Sequence, residues 1–139
     1  MKLLLDTHAL LWWLADDAAL GQSARDLVAD PANDVLASIV SLWEVQVKVR
    51  AGRLRASLPD ILREIEAQAF VLLPIAASHL VRLGDLPMHH RDPFDHLLMA
   101  QAFVEGAVFM SEDHHVPSYG VPFVTCSGPG VVSSGDAGG

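Results

Sequence analysis

Leu3-Leu4-Leu5-Asp6-Thr7-His8-Ala9-Leu10-Leu11-Trp12-Trp13-Leu14 is the stretch whose reading decides the fold. Three consecutive leucines need cover on both faces, as a strand has in a parallel sheet flanked by helices. The polar triplet after them reads as a strand-to-helix turn, which puts Asp6 at the carboxyl end of the first strand. In open α/β sheets that edge is where ligands bind, because the crossover helices begin there and leave room above the strands.

The same alternation continues along the chain. Ser23 to Ala29 reads as a short helix between Gly21 and Asp30-Pro31, and Val35-Leu36-Ala37 as a brief buried strand. A helical pattern then runs from Ser38 to about Arg50, with Leu42, Val45 and Val49 as its inward stripe and Ala51-Gly52 as its stop. Leu58 to Ala67 forms another helix, with Pro59 tolerated in its first turn. Phe70 to Leu73 is a third strand, Ala76 to Leu83 a helix closed by Gly84, and Leu86 to His90 a loop. Asp92-Pro93-Phe94-Asp95 opens the strongest helix, Phe94 to Glu105, and Ala107 to Met110 is a fourth strand. Val121 to Thr125 reads as an edge strand, since Pro122 cannot donate to a ladder. Four or five strands alternating with helices predict a parallel α/β sandwich over residues 1–126. Residues 127–139, rich in Gly and Ser, have little to bury and predict a disordered tail.

A chain of 139 residues is large enough for one domain with a real core. The longest apolar run, residues 9 to 15, falls well short of the roughly 20 residues a membrane span requires. Asp6 interrupts any secretory apolar region, and the single cysteine, Cys126, can form no internal disulfide, so a soluble cytoplasmic protein is expected. The net charge of -8 works against nucleic-acid binding unless it is offset locally. Two features could offset it. Lys48, Arg50, Arg53 and Arg55 fall within eight positions, and acids that hold cations lose their negative charge. The basic run has an equally ordinary use, as a solvated helix end complementing its own dipole.

Four carboxylates recur at element boundaries: Asp6 after the first strand, Glu44 in the helix after the second, Asp95 at the start of the long helix, and Asp113 after the fourth strand. In a parallel sheet these boundaries meet at one edge. Each acid also has a local role open to it. Asp92 suits the N-cap of the long helix, with Asp95 favoured by the dipole, Glu44 can pair with Lys48 at i,i+4, and Asp6 and Asp113 can serve in turns. Together they point further. Four carboxylates within about 4 to 6 Å persist only if protonated or held by cations, and all-oxygen donors select a hard ion, Mg²⁺ or Mn²⁺. Such an ion suits phosphodiester hydrolysis, because it acidifies a bound water and offsets charge on the leaving oxygen. The tandem pairs His89-His90 and His114-His115 lie in predicted loops and are read as solvated, whereas His8 is a candidate substrate or supporting contact. Trp12 and Trp13 are read as core.

These residues resemble those of PIN-domain ribonucleases of the VapC toxin type. The resemblance rests on Leu3 to His8 with Leu10 to Leu14, on Ser41-Leu42-Trp43-Glu44-Val45 with Lys48, and on His90-Arg91-Asp92-Pro93-Phe94-Asp95 with Leu97-Leu98 and Ala100-Gln101-Ala102. It covers about residues 2 to 125. It implies a three-layer α/β/α fold and a metal-dependent endoribonuclease, usually dimeric and neutralised by a small VapB-like antitoxin. The family's acids fall on Asp6, Glu44, Asp95 and Asp113, with Asp92 as a supporting candidate. Ser111, two residues before Asp113, fits the family pattern, while His114-His115-Val116 departs from the aromatic that commonly follows. Two readings from other classes remain. One is an inactive PIN-like module binding a partner through the Trp12-Trp13 helix. The other is a phosphate-handling enzyme with Asp6 as nucleophile, disfavoured because His8 stands where such a site carries a second acid.

Overall fold

Leu3 and Leu5 pack to one side of the first strand and Leu4 to the other, and all three are fully buried. The computed structural model describes residues 1–129 and 131–133. It has five strands, β1 (Lys2–Leu5), β2 (Asp34–Ser38), β3 (Val71–Leu73), β4 (Val108–Met110) and β5 (Phe123–Val124). They form one sheet in the order β3-β2-β1-β4-β5, with all four pairings parallel. The leucine strand is therefore central, with Leu4 in register with Leu36 on one side and Phe109 on the other.

Six helices cover the two faces: α1 (Thr7–Leu14), α2 (Gln22–Ala29), α3 (Ile39–Arg50), α4 (Leu58–Ala67), α5 (Ala77–Leu83) and α6 (Pro93–Glu105). Leu3 and Leu5 join Leu10, Val28, Val45 and Ile65 in one core, which buries α1 to α4. Leu4 joins Leu36, Leu98, Met99 and Phe109 in the other, under α6. This is the expected three-layer α/β/α sandwich with a parallel sheet. Among the described residues no helix is long and apolar enough to cross a membrane.

Local chemistry starts the helices where the strands end. Asp6, Ser38 and Asp92 cap α1, α3 and α6 with their side-chain oxygens, and Gly106 ends α6 in the left-handed region at φ 64°. A buried polar link then ties α6 to the sheet. The Gln101 amide oxygen meets the Ser38 hydroxyl at the end of β2, and its amide nitrogen donates to the Pro74 carbonyl at 3.2 Å.

Three details differ from the sequence-based expectations. β3 is apolar but lies at the sheet edge, so Val71 and Leu72 stay exposed and only Leu73 is buried. The predicted strand at residues 121–125 shortens to Phe123–Val124, because a 3-10 turn over Val116–Tyr119 takes up the chain before it. Of the segment read as a tail, Ser127 is held by the Glu112 carboxylate, and Ser133 exchanges two backbone hydrogen bonds with Phe123 at 2.8 and 3.0 Å. Residues 130 and 134–139 of that reading lie outside the described residues.

Candidate active site

Above the carboxyl edge of β1, β2 and β4 lies a cavity of about 430 Å³. Asp6, Glu44, Asp92, Asp95 and Asp113 all line it, with His8 and Lys48 beside them. The topology is what gathers them. The Asp6 N–H continues the β1–β4 ladder by donating to the Met110 carbonyl at 3.0 Å, which fixes Asp6 beside the loop that carries Asp113. Glu44 comes from the second turn of α3 and Asp95 from the first turn of α6.

Each acid has a different surrounding. Asp6 is buried, and one of its oxygens accepts the Ala9 N–H at 2.7 Å. Burial pushes its carboxyl up to about 6, against the Ala9 N–H, the Ser111 hydroxyl and nearby His8, which favour the charged form. Glu44 is buried with both oxygens occupied, one by the Thr7 hydroxyl and one by the Lys48 ammonium, each at 2.6 Å. Asp92 caps α6 by accepting the Phe94 and Asp95 N–H groups at 3.0 and 3.2 Å.

Asp95 and Asp113 behave as a pair. Burial, then the charges of Asp92 and Asp6, push the Asp95 carboxyl up to about 9. On Asp113 burial works the same way but is outweighed by the His115 N–H and ring, by Asp95 and by His90, so its carboxyl is held low. The two shifts run in opposite directions, upward for the more buried acid.

Ser111 is buried behind the cavity, where its hydroxyl accepts the Asp113 N–H at 3.1 Å. Arg50 is exposed and does not line the cavity, so of the two basic candidates only Lys48 reaches it. His8 stacks on Trp12 with ring centroids 5.6 Å apart at the cavity wall, so Trp12 is a half-buried wall residue and not core.

Two residues that the sequence reading left without a role belong here. Thr7 clamps Glu44. His90 corrects the solvated reading of the tandem pairs: its side chain is only 10% exposed, and Nε2 faces Asp95 and Asp113 at 3.7 and 3.9 Å. His89 is exposed, with its ring edge-on to Tyr119 and centroids 5.0 Å apart.

A family model described as PIN domain matches residues 3–121. The chain belongs to the PIN-domain family. No curated protein matches its sequence. Among solved structures, a chain of VapBC2 from Rickettsia felis, bound to a DNA fragment from their promoter, superposes with a TM-score of 0.70 at 15% identity. The match covers 90% of this chain and 98% of that one. VapBC-1 from nontypeable Haemophilus influenzae gives 0.54 at 16% identity, covering 81% and 87%. A toxin-antitoxin complex from Klebsiella pneumoniae gives 0.54 at 18%, covering 80% and 86%. At these identities the likeness is one of fold, over 80% to 90% of this chain.

Proposed function

We propose that this PIN domain is a divalent-metal-dependent endoribonuclease, the toxin of a cytoplasmic toxin-antitoxin pair with a VapB-like antitoxin. The observation that carries the reading is one cavity lined by Asp113 and by the buried Asp6, Glu44 and Asp95, where burial and neighbouring acids push the Asp95 carboxyl up to about 9. Carboxylates packed this closely, without enough fixed cations to balance them, are suited to exchanging a proton for a metal ion. The likeness to chains of VapBC complexes supports the antitoxin as partner, and a homodimer is carried over from the family resemblance.

The donor set fits Mg²⁺ or Mn²⁺. Asp6, Glu44, Asp95 and Asp113 would hold the ion, with Asp92 fixing the start of α6 and Ser111 the turn before Asp113. A bound divalent ion supplies an acidified water and offsets charge on a phosphodiester. The chain's own residues supply the rest. Lys48 holds Glu44 and is the cation closest to an incoming phosphate, and the stacked His8–Trp12 pair gives an unpaired base a flat surface. A strand of RNA entering this cavity meets stacking at one wall and acids at its floor.

The test is cleavage of a mixed RNA pool by the purified full chain with Mg²⁺, Mn²⁺ or EDTA, beside Asp6→Asn prepared identically. Cuts that need metal and vanish in the variant are expected. A folded Asp6→Asn protein that still cuts, or cutting that survives EDTA, overturns the assignment.

A further inference from the structure

His90 Nε2 is buried and, among the described residues, has no hydrogen-bond partner, although the ring is otherwise engaged. Its other nitrogen, Nδ1, lies 2.7 Å from the Tyr119 oxygen. That oxygen also accepts the His89 and His90 backbone N–H groups at 2.9 and 3.1 Å and lies 3.0 Å from His96 Nε2. The ring is further fixed by stacking on His115, with centroids 4.8 Å apart and planes 5° from parallel. A side chain held this firmly with its free nitrogen aimed at two carboxylates needs an account.

The distances to those carboxylates decide between two accounts. At 3.7 Å from Asp95 and 3.9 Å from Asp113, Nε2 is too far away for a hydrogen bond to either. Two ligands of one ion, each about 2.1 Å from it, stand about 3 to 4 Å apart. One nitrogen and two oxygens of His90, Asp95 and Asp113 indeed all lie within 4.8 Å of one another. Asp113, His114 and His115 form a second such group among the described residues, but His114 is exposed and His115 Nδ1 is already 3.0 Å from the Asp113 carboxylate.

We propose that His90 is a nitrogen ligand of the divalent ion held by Asp95 and Asp113. The inference rests on the metal-dependent reading above and refines which ion the site takes. A ligating imidazole must present a lone pair at one nitrogen and donate from the other. The tautomer that fits has the Tyr119 O–H donating to His96 Nε2 and the His90 Nδ1–H donating to the Tyr119 oxygen, whose second lone pair the His89 and His90 backbone N–H groups then share, and it leaves Nε2 bare. A mixed nitrogen and oxygen site discriminates against Mg²⁺, which strongly prefers oxygen, in favour of a first-row transition ion such as Mn²⁺.

Pulsed electron paramagnetic resonance of the full chain loaded with Mn²⁺ tests this, because a directly bound imidazole imprints nitrogen hyperfine coupling on the ion. The coupling is expected in the wild-type protein, in His114→Ala and in His115→Ala, and is expected to disappear in His90→Ala and His90→Gln. The two His90 substitutions guard against misfolding of either one. By calorimetry, loss of His90 weakens Mn²⁺ on the order of ten-fold or more, since even groups that only orient a ligand are worth that much, and weakens Mg²⁺ less. Bound Mn²⁺ without nitrogen coupling, or coupling that survives both His90 substitutions, overturns the role of His90 while leaving the nuclease reading intact. Failure of the wild-type protein to bind Mn²⁺ overturns both. Nitrogen-coupled Mn²⁺ in a protein that cuts no RNA overturns the nuclease reading alone.

Discussion

The Asp95 and Asp113 carboxylates face one nitrogen, His90 Nε2, at 3.7 and 3.9 Å, across the gap between the first turn of α6 and the loop after β4. Sheet order makes this contact. β1 and β4 are neighbours, α6 leads directly into β4, and the exit from β4 therefore meets the entrance of α6 at one edge.

Metal-free protein should become more stable as the pH falls from about 8.5 to about 6. Asp6 and Asp95 titrate higher in the folded chain than at the ordinary carboxyl value of 3.8. Between that value and their folded values the native state holds protons that the unfolded chain has lost, so stability declines as pH rises. Asp113, held low, contributes the opposite slope only in more acidic solution, around and below its ordinary value. Melting in EDTA across this range should show a midpoint several degrees higher at the acid end. A midpoint that climbs with pH would contradict the burial argument.

Asp95→Asn should stabilise the metal-free protein by about 1 kcal/mol or more at pH 8, because it removes a buried acid surrounded by other acids. The same change should abolish metal-dependent cleavage. Urea unfolding in EDTA checks the first effect, and a destabilised variant would show that Asp95 is held chiefly by structural bonds.

Lys48→Ala should cost about 1–3 kcal/mol, since it leaves the buried Glu44 carboxylate with the Thr7 hydroxyl alone. Lys48→Arg, which keeps the charge, should recover most of it. Equal losses in the two variants by chemical denaturation would indicate that packing of the lysine stem matters more than its charge.

Gln101→Leu should cost about 1–3 kcal/mol although Gln101 does not line the cavity, because Ser38 loses its partner and the Pro74 carbonyl its donor. Cleavage per folded molecule should fall less than in Asp95→Asn. A neutral variant in urea unfolding would mean that Ser38 is satisfied by capping Val40 alone.

The order of elements was legible because the opening leucines allow only a covered strand and because caps and glycines mark the helix ends. Asp92, Ser38 and Gly106 each stand where the chemistry of their side chain, or of its absence, is needed. The gathering of Asp6, Glu44, Asp95 and Asp113 was legible from topology alone, since parallel strands send every helix start to one edge. Burial at the sheet margin was not: β3 is as apolar as β1 in sequence, yet only its pairing decides that Val71 and Leu72 face solvent. Nor was His90, whose place depends on Tyr119, a residue 29 positions away in a turn that carries no periodic signal.

The central claim is that the cavity takes up a divalent ion in exchange for a proton at Asp95. Calorimetric titration of the full chain with Mn²⁺ at pH 7.5, in two buffers of different ionisation enthalpy, reads this directly. The account predicts saturable binding whose apparent enthalpy differs between the buffers by the release of about one proton per ion, and loss of that difference in Asp95→Asn. Binding with no proton released, or no binding at all, would contradict it.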